Sequence, residues 1–268
     1  MSQQPTTVFI TGASRGIGNA LVKAYLQRPN HTVIASVRDP KSTPLKGLET
    51  AAGSRLMVVK IEAKSAGDAA AAVEQIKAEG ITALDVVIAA AGINPAEAWN
   101  EVQDIDPAQM EEIFQVNTFA FVKLLHAVWP LLKATADKAK AANTTRPPPK
   151  LLALSSNAGQ IGDMAVEIPI PGQDPIPLRV GAYGASKAAL NYLVRRAHLE
   201  NKWLACWAMN PGFVQTETGN AHAKSWGFEQ ALHELDRTVK ILMEKVDEAT
   251  LEKTAGRFIN FDGEEMSF

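Results

Sequence analysis

The feature that most constrains this chain is a repeated alternation of short apolar runs with longer helical stretches. Five β-branched, apolar runs occupy residues 7–11, 32–37, 56–61, 84–90 and 150–155. They lack a clean period of two, which is the pattern of strands covered on both faces of a parallel sheet. Between them, residues 16–27, 65–79 and 107–139 are candidate helices; in the second, Ala69, Ala72, Val73 and Ile76 recur at helical spacing and give one packing stripe. A helix over 182–201 leads into a sixth strand at 204–209, and a seventh is expected at 256–261. Strand–helix–strand repeats require right-handed crossovers, so the predicted class is α/β: one doubly wound parallel sheet of about seven strands, with helices on both faces.

The 268 residues could make one large domain or two small ones. No linker divides them and no internal repeat is apparent, so the expectation is a single domain over 1–268. Within it, 157–182 is read as a substrate loop and 212–230 as a lid-like segment. The run Pro169-Ile-Pro-Gly-Gln-Asp-Pro-Ile-Pro177 reads as an extended, donor-poor surface loop.

Charge narrows the partners. Lys plus Arg number 27 against 29 Asp plus Glu, a net charge of −2, so no cationic field gathers nucleic acid or anionic lipid. The single cysteine, Cys206, sits in an apolar run without metal-ligand spacing and reads as a buried thiol. The N-terminus lacks the charged and apolar regions of a signal peptide, and no run approaches the ~18 apolar residues of a membrane span. A cytoplasmic protein without metal is expected.

Directly after the first strand comes Thr11-Gly-Ala-Ser-Arg-Gly-Ile-Gly18, opening into a helix. Small residues let a dinucleotide pyrophosphate approach the backbone, where N–H groups and the positive helix end stabilise its charge. The turn supplies Gly12, Ser14, Arg15, Gly16, Ile17 and Gly18 as cofactor-binding candidates. The second strand ends Val37-Arg38-Asp39. NAD-selective sites place a carboxylate there for the ribose 2′-hydroxyl; Arg38 with Arg15 can instead hold a 2′-phosphate. Asp39, one place later, keeps NADH as the less favoured alternative to NADPH.

Farther along, Tyr183-Gly-Ala-Ser-Lys187 puts a phenol and an ammonium four residues apart on one helix face. It follows the strand ending Ser155-Ser156, at the carboxyl end of the sheet, where open α/β sheets bind ligands. A free phenol, with pKa near 10, exchanges protons poorly at neutral pH; a lysine cation and an oxidised nicotinamide nearby would lower it.

These motifs together resemble the short-chain dehydrogenase/reductase family, whose glycine motif is Thr-Gly-x-x-x-Gly-x-Gly on a Rossmann-type sheet. The resemblance spans Val8 to about Asp262. It implies Tyr183 as proton donor, Lys187 on the nicotinamide ribose, and the second serine of Ser-Ser-x-x-Gly, Ser156, against the substrate oxygen, with Ser155 the alternative. It implies Asn117, in Gln115-Val-Asn-Thr118, as a fourth member relaying a water to the lysine. Asn210-Pro-Gly-Phe-Val-Gln-Thr216 resembles the segment that meets the nicotinamide carboxamide, through Pro211, Gly212, Val214 and Thr216. Ala91, Gly92, Ile93 and Asn94 are expected near the nicotinamide ribose. Two positions depart from the family: Ala89-Ala-Ala-Gly92 replaces Asn-Asn-Ala-Gly, and Glu62-Ala63 stands where an aspartate contacts adenine, which leaves Glu62 as the adenine-side candidate.

Within the family, Leu26-Gln-Arg-Pro29, Tyr192-Leu-Val-Arg195 and Val214-Gln-Thr216 look most like fungal ketoreductases of the norsolorinic acid ketoreductase type. The implied activity is an NADPH-dependent keto reductase of secondary metabolism acting on a bulky or polyketide-type carbonyl. A non-redox isomerase or cyclase, or an NADP-binding sensor, are the alternatives on the same fold. Ser156 and Tyr183 lie 27 residues apart, roughly twice the family's minimal spacing, so inserted residues pass beside the pocket. Met164, Ile168, Ile170, Trp99, Phe213, Trp226 and Phe228 are candidate apolar lining. Family resemblance also implies a homodimer or homotetramer through the helices at 107–139 and 182–201, with a monomer as the alternative.

Overall fold

Seven strands of the main sheet run parallel, and an eighth, antiparallel strand closes one edge. In the computed structural model, which describes residues 5–41, 43–142, 147–163, 167–168 and 176–268, the strands of the main sheet are β1 (Thr6–Ile10), β2 (His31–Val37), β3 (Arg55–Lys60), β4 (Val86–Ala89), β5 (Lys150–Leu154), β8 (Ala205–Asn210), β9 (Phe258–Asn260) and β10 (Glu265–Met266). A separate antiparallel pair, β6 (Glu167–Ile168) with β7 (Ile176–Pro177), lies within the expected substrate loop. The spatial order is β10-β9-β8-β5-β4-β1-β2-β3. Only β10 is antiparallel, pairing with β9, so the expected strand count rises by one. The order reverses between β1 and β4, and that switch point opens a crevice at the strands' carboxyl ends.

The continuous apolar runs are explained by two cores. Val8 and Ile10 of β1, Val33 and Ala35 of β2 and Trp207 and Met209 of β8 enter one core, capped by α1 (Gly16–Leu26) and α7 (Leu235–Glu248). The intervening Phe9, Ile34, Cys206 and Ala208 enter the other. That second core is covered by α2 (Asp68–Ala78), α4 (Ala120–Ala141) and α5 (Gly181–Glu200). With both faces buried, no strand position needs to be polar, and the alternation disappears from the sequence.

Three helical expectations need correction. The helix expected over 107–139 is broken into α3 (Pro107–Phe114), a π turn at Gln115–Phe119, and α4. The run Pro107–Ala141 is also long and apolar enough to cross a membrane, the one such run among the described residues, contrary to the reading that none approaches that length. Phe121, Leu124, Val128, Leu131 and Leu132 of its second part pack in the core. Finally, α6 (Glu217–Ser225) and α7 were not anticipated, although Val239, Leu242, Met243 and Val246 mark the buried face of α7 at helical spacing.

Candidate active site

The glycine turn is shaped by contact with the end of β4. Gly12 has φ +67°, and a Cβ there would lie 2.8 Å from the Cα and N of Ala91. A Cβ on Gly18 would lie 2.4 Å from the Gly12 carbonyl oxygen. Thr11 stabilises the same junction, its Oγ1 accepting from Ala90 N at 3.2 Å and Ala91 N at 3.4 Å. The backbone from Ser14 to Gly18 borders the crevice. Arg15, at the N-cap of α1, is exposed and pairs with Glu217 at 3.3 Å. Arg38, also exposed, follows β2 and lines the same cavity.

Beyond β3, the turn around Glu62 is organised by a residue the sequence reading passed over. The Asp68 carboxylate accepts from Glu62 N at 3.0 Å and from Ser65 Oγ at 2.7 Å. These bonds hold its pKa below the usual carboxylate value, the backbone donor contributing most. Ser65 Oγ in turn accepts from Asp68 N at 3.3 Å, so Ser65 and Asp68 fix the turn that leads into α2. Glu62 accepts from Lys64 N at 3.4 Å and lines the cavity.

At the carboxyl end of β5 the two serines part. Ser155 is buried and donates from Oγ to Asn191 Oδ1 at 2.5 Å. Ser156 starts the short turn Asn157–Gly159; its Oγ accepts from Ala158 N at 3.2 Å and donates to Asn157 Oδ1 at 3.3 Å, and both Ser156 and Tyr183 line the cavity. Close backbone approach brings these elements together. A Cβ on Gly159 would lie 2.7 Å from the Lys187 carbonyl carbon, and one on Gly184 would lie 2.6 Å from Ala158 O.

The electrostatics differ from the expectation that the lysine lowers the phenol's pKa. Burial raises the Tyr183 pKa above its ordinary value, and the nearby Ser156 hydroxyl opposes the rise. Lys187 lies with Nζ 5.7 Å from the Tyr183 ring centroid and donates to Leu154 O at 2.8 Å. Its ammonium is thus committed to a backbone carbonyl, and burial lowers its own pKa to about 8. Burial thus favours the neutral form of the phenol.

Asn117 sits in the π turn, a local distortion common where a helix must present a side chain out of step. Its Oδ1 accepts from Ile93 N at 2.8 Å, while Nδ2 donates to Ile93 O at 2.9 Å and Ser186 Oγ at 3.0 Å. Ser186 Oγ continues to Tyr183 O at 2.7 Å. These bonds tie the segment after β4 to α5.

The far wall is the segment from Pro211 onward. Val214 forms a bridge with His233, so the residues between them make a closed flap carrying α6. Thr216 Oγ1 caps α6 by accepting from Gly219 N at 3.0 Å. His222 Nε2 contacts Asn94 O at 2.9 Å across the cleft; because a carbonyl only accepts, that nitrogen carries the proton. Burial lowers the His222 pKa, with the Asn94 hydrogen bond opposing it. Trp99 meets His222 edge-on at 4.3 Å and stacks with Trp226 at 5.1 Å, and Phe213 adds to the cluster at 5.4 Å. Trp99 Nε1 donates to Asn94 Oδ1 at 3.0 Å, so Asn94 is held by both sides.

All of these elements border one cavity of about 1130 Å³. Its lining reaches from Arg38 through Gly92 and Asn94 to Ser156, Tyr183 and Lys187, then to Pro211, Gly212, Val214 and Thr216. Phe213, Trp226 and Phe228 line it as expected, whereas Trp99 is packed against Trp226. Met164 and Ile170, and the side chain of Ile168, lie outside the described residues. The sequence reading missed His222, whose pairing with Asn94 spans 128 residues and leaves no local pattern.

Comparison with known proteins agrees with this architecture. The short chain dehydrogenase family pattern matches residues 6–166. The chain is 38% identical to the short-chain dehydrogenase RED3 of Pyricularia oryzae, covering 95% of each chain. It is 35% identical to the norsolorinic acid ketoreductase of Aspergillus parasiticus, covering 98% of this chain and 91% of that one. Among solved structures, NADPH-bound carbonyl reductase from chicken fatty liver superposes with a TM-score of 0.77 at 25% identity, over 99% of this chain and all of the other. The chain belongs to the short-chain dehydrogenase family and is an oxidoreductase.

Proposed function

We propose that this short-chain dehydrogenase is an NADPH-dependent carbonyl reductase, folded as a single domain over 1–268, that converts a bulky or polyketide-type ketone to its alcohol. The observation that carries the reading is the convergence of Ser156, Tyr183 and buried Lys187 on one wall of the large cavity that the glycine turn also borders. The cradle fits a dinucleotide: Gly12 and Gly18 sit where a Cβ would collide, and the N-terminus of α1 faces the crevice. When bound, NADPH supplies the hydride.

The chain's own residues would then act as follows. Backbone N–H groups of the glycine turn hold the pyrophosphate, and Arg15 and Arg38 recognise the 2′-phosphate. Lys187 and Asn94 serve the nicotinamide ribose, and the segment from Pro211 to Thr216 the carboxamide. Ser156 donates to the ketone oxygen, whose negative charge grows as hydride arrives. Tyr183, kept neutral by burial, gives that oxygen its proton. Asn117 holds Ile93 and α5 in register. The aromatic wall of Phe213 and Trp226 favours bulky apolar substrates.

Two relatives support the reading, one named a norsolorinic acid ketoreductase and the other an NADPH-bound carbonyl reductase. The reading includes self-association, as a homodimer or homotetramer, through the helical run 107–139 and α5, which expose Phe119, Val122, Trp129, Tyr192 and Leu199. Light scattering would measure it.

The decisive assay follows the absorbance of reduced cofactor with aryl ketones and diketones. Turnover is expected, falling by roughly 10²- to 10⁴-fold in Tyr183→Phe while NADPH affinity is kept. Tight NADPH binding without turnover of any ketone would sink the reading.

A further inference from the structure

Three polar side chains follow one another on a single face of α5: Tyr183, Lys187 and Asn191, at i, i+4 and i+8. The third has no place in the chemistry described above, yet it is 1% exposed. A leucine would fill the same space without desolvating an amide, so a buried carboxamide here needs its hydrogen bonds to be tolerated. Asn191 makes two. Its Oδ1 accepts from Ser155 Oγ at 2.5 Å, and its Nδ2 donates to Gly159 O at 3.3 Å. Residues 155 and 159 bracket Ser156.

We propose that Asn191 is a positioning residue that clamps the Ser156 turn onto α5 and thereby holds the Ser156 hydroxyl on the Tyr183 oxygen. The proposal rests on the reading that Ser156 and Tyr183 act together in the reaction. The geometry gives it a specific form. One anchor fixes the last residue before Ser156, at the end of β5, and the other fixes the end of the turn that Ser156 opens. Gly159 and Gly184 let turn and helix approach to backbone contact, which sets the distance, while Asn191 sets the register. Because Tyr183 lies on the same helix as the clamp, helix and turn move as one body.

The test reads the surroundings of the Tyr183 oxygen directly and does not depend on turnover. The chain has three tyrosines, so labelling with [ζ-¹³C]tyrosine yields three resonances, and Tyr183→Phe identifies the one of interest. Lys187 is the charged neighbour of that ring; Asp163 and His222 also line the cavity, and all three are unchanged in the variants. Asn191→Leu is expected to move the Tyr183 resonance to the value it takes in Ser156→Ala, with the double variant no different from either single. Ser155→Ala, which removes one anchor and keeps Asn191, moves it the same way by less, and serves if Asn191→Leu does not fold.

A resonance that stays at its wild-type position in Asn191→Leu or Ser155→Ala while Ser156→Ala shifts it overturns the clamp. So does an additive double variant, or a resonance that none of the substitutions moves. In the ketone assay Asn191→Leu is expected to lose about 10- to 100-fold in kcat with KM for NADPH within about twofold. If the resonances behave as expected but wild type reduces no ketone, the reductase reading falls and the clamp stands.

Discussion

Replacing Lys187 by Met should stabilise the cofactor-free protein relative to wild type at neutral pH, and that advantage should fade as the solution is made alkaline. Lys187 is 4% exposed and burial lowers its pKa from 10.5 to about 8. At about 1.4 kcal/mol for each tenfold change in acidity, that displacement corresponds to roughly 3 kcal/mol by which burying the ammonium opposes folding. The unfolded chain keeps the proton up to pH 10.5, whereas the folded protein releases it near pH 8. Between those values the unfolded state binds more protons, so wild-type stability rises with pH; the cost is complete below pH 8 and gone above 10.5.

The Met variant has no such dependence. It does leave Leu154 O without the 2.8 Å donor it has in wild type, a loss of about 1–3 kcal/mol, but that loss is the same at every pH and cancels in a comparison of two conditions. Urea unfolding of both proteins at pH 7 and pH 10 should therefore show the stability difference moving by about 2.5 kcal/mol in favour of wild type at the higher pH. Parallel behaviour of the two proteins would refute the argument, because it would mean that the ammonium is not desolvated in the folded state. The variant should also be inactive, since the same buried cation serves the proposed reaction. Stability and chemistry are opposed at this residue.

Other substitutions test separate parts of the site. Arg38→Asp should raise KM for NADPH by ~10-fold or more and leave NADH unchanged or improved; equal kinetics with both would remove Arg38 from 2′-phosphate recognition. Gly184→Ala places a methyl 2.6 Å from Ala158 O, which must push the Ser156 turn away from α5, so kcat should drop with only a modest fall in melting temperature. Unchanged kcat there would show that the turn yields without disturbing Ser156. His222→Phe keeps the ring beside Trp99 and deletes the bond to Asn94 O; the flap should loosen, raising KM for the ketone several-fold with kcat little affected, as steady-state kinetics would show.

The features legible in the sequence were those written in neighbouring residues. Apolar runs with both faces buried predicted a parallel sheet, the Thr11–Gly18 turn marked the switch-point end of it, and the four-residue spacing of Tyr183 and Lys187 put both on one helix face. The buried stripe of α7 was equally local and was overlooked because charged residues dominate that helix. Other properties depend on residues far apart in the chain. The two serines after β5 differ because Asn191, 36 residues on from Ser155, takes the hydroxyl of Ser155 alone. The π turn at Asn117 answers to Ile93 and Ser186, and the flap is fastened where His222 meets Asn94. The acid–base character of the site was decided last. Sequence placed a cation near a phenol and suggested a lowered pKa, but desolvation of both groups raised Tyr183 and lowered Lys187 instead. Local periodicity determines which elements form and which residues share a face; the cost of removing a charge from water exists only once the whole fold has closed around it.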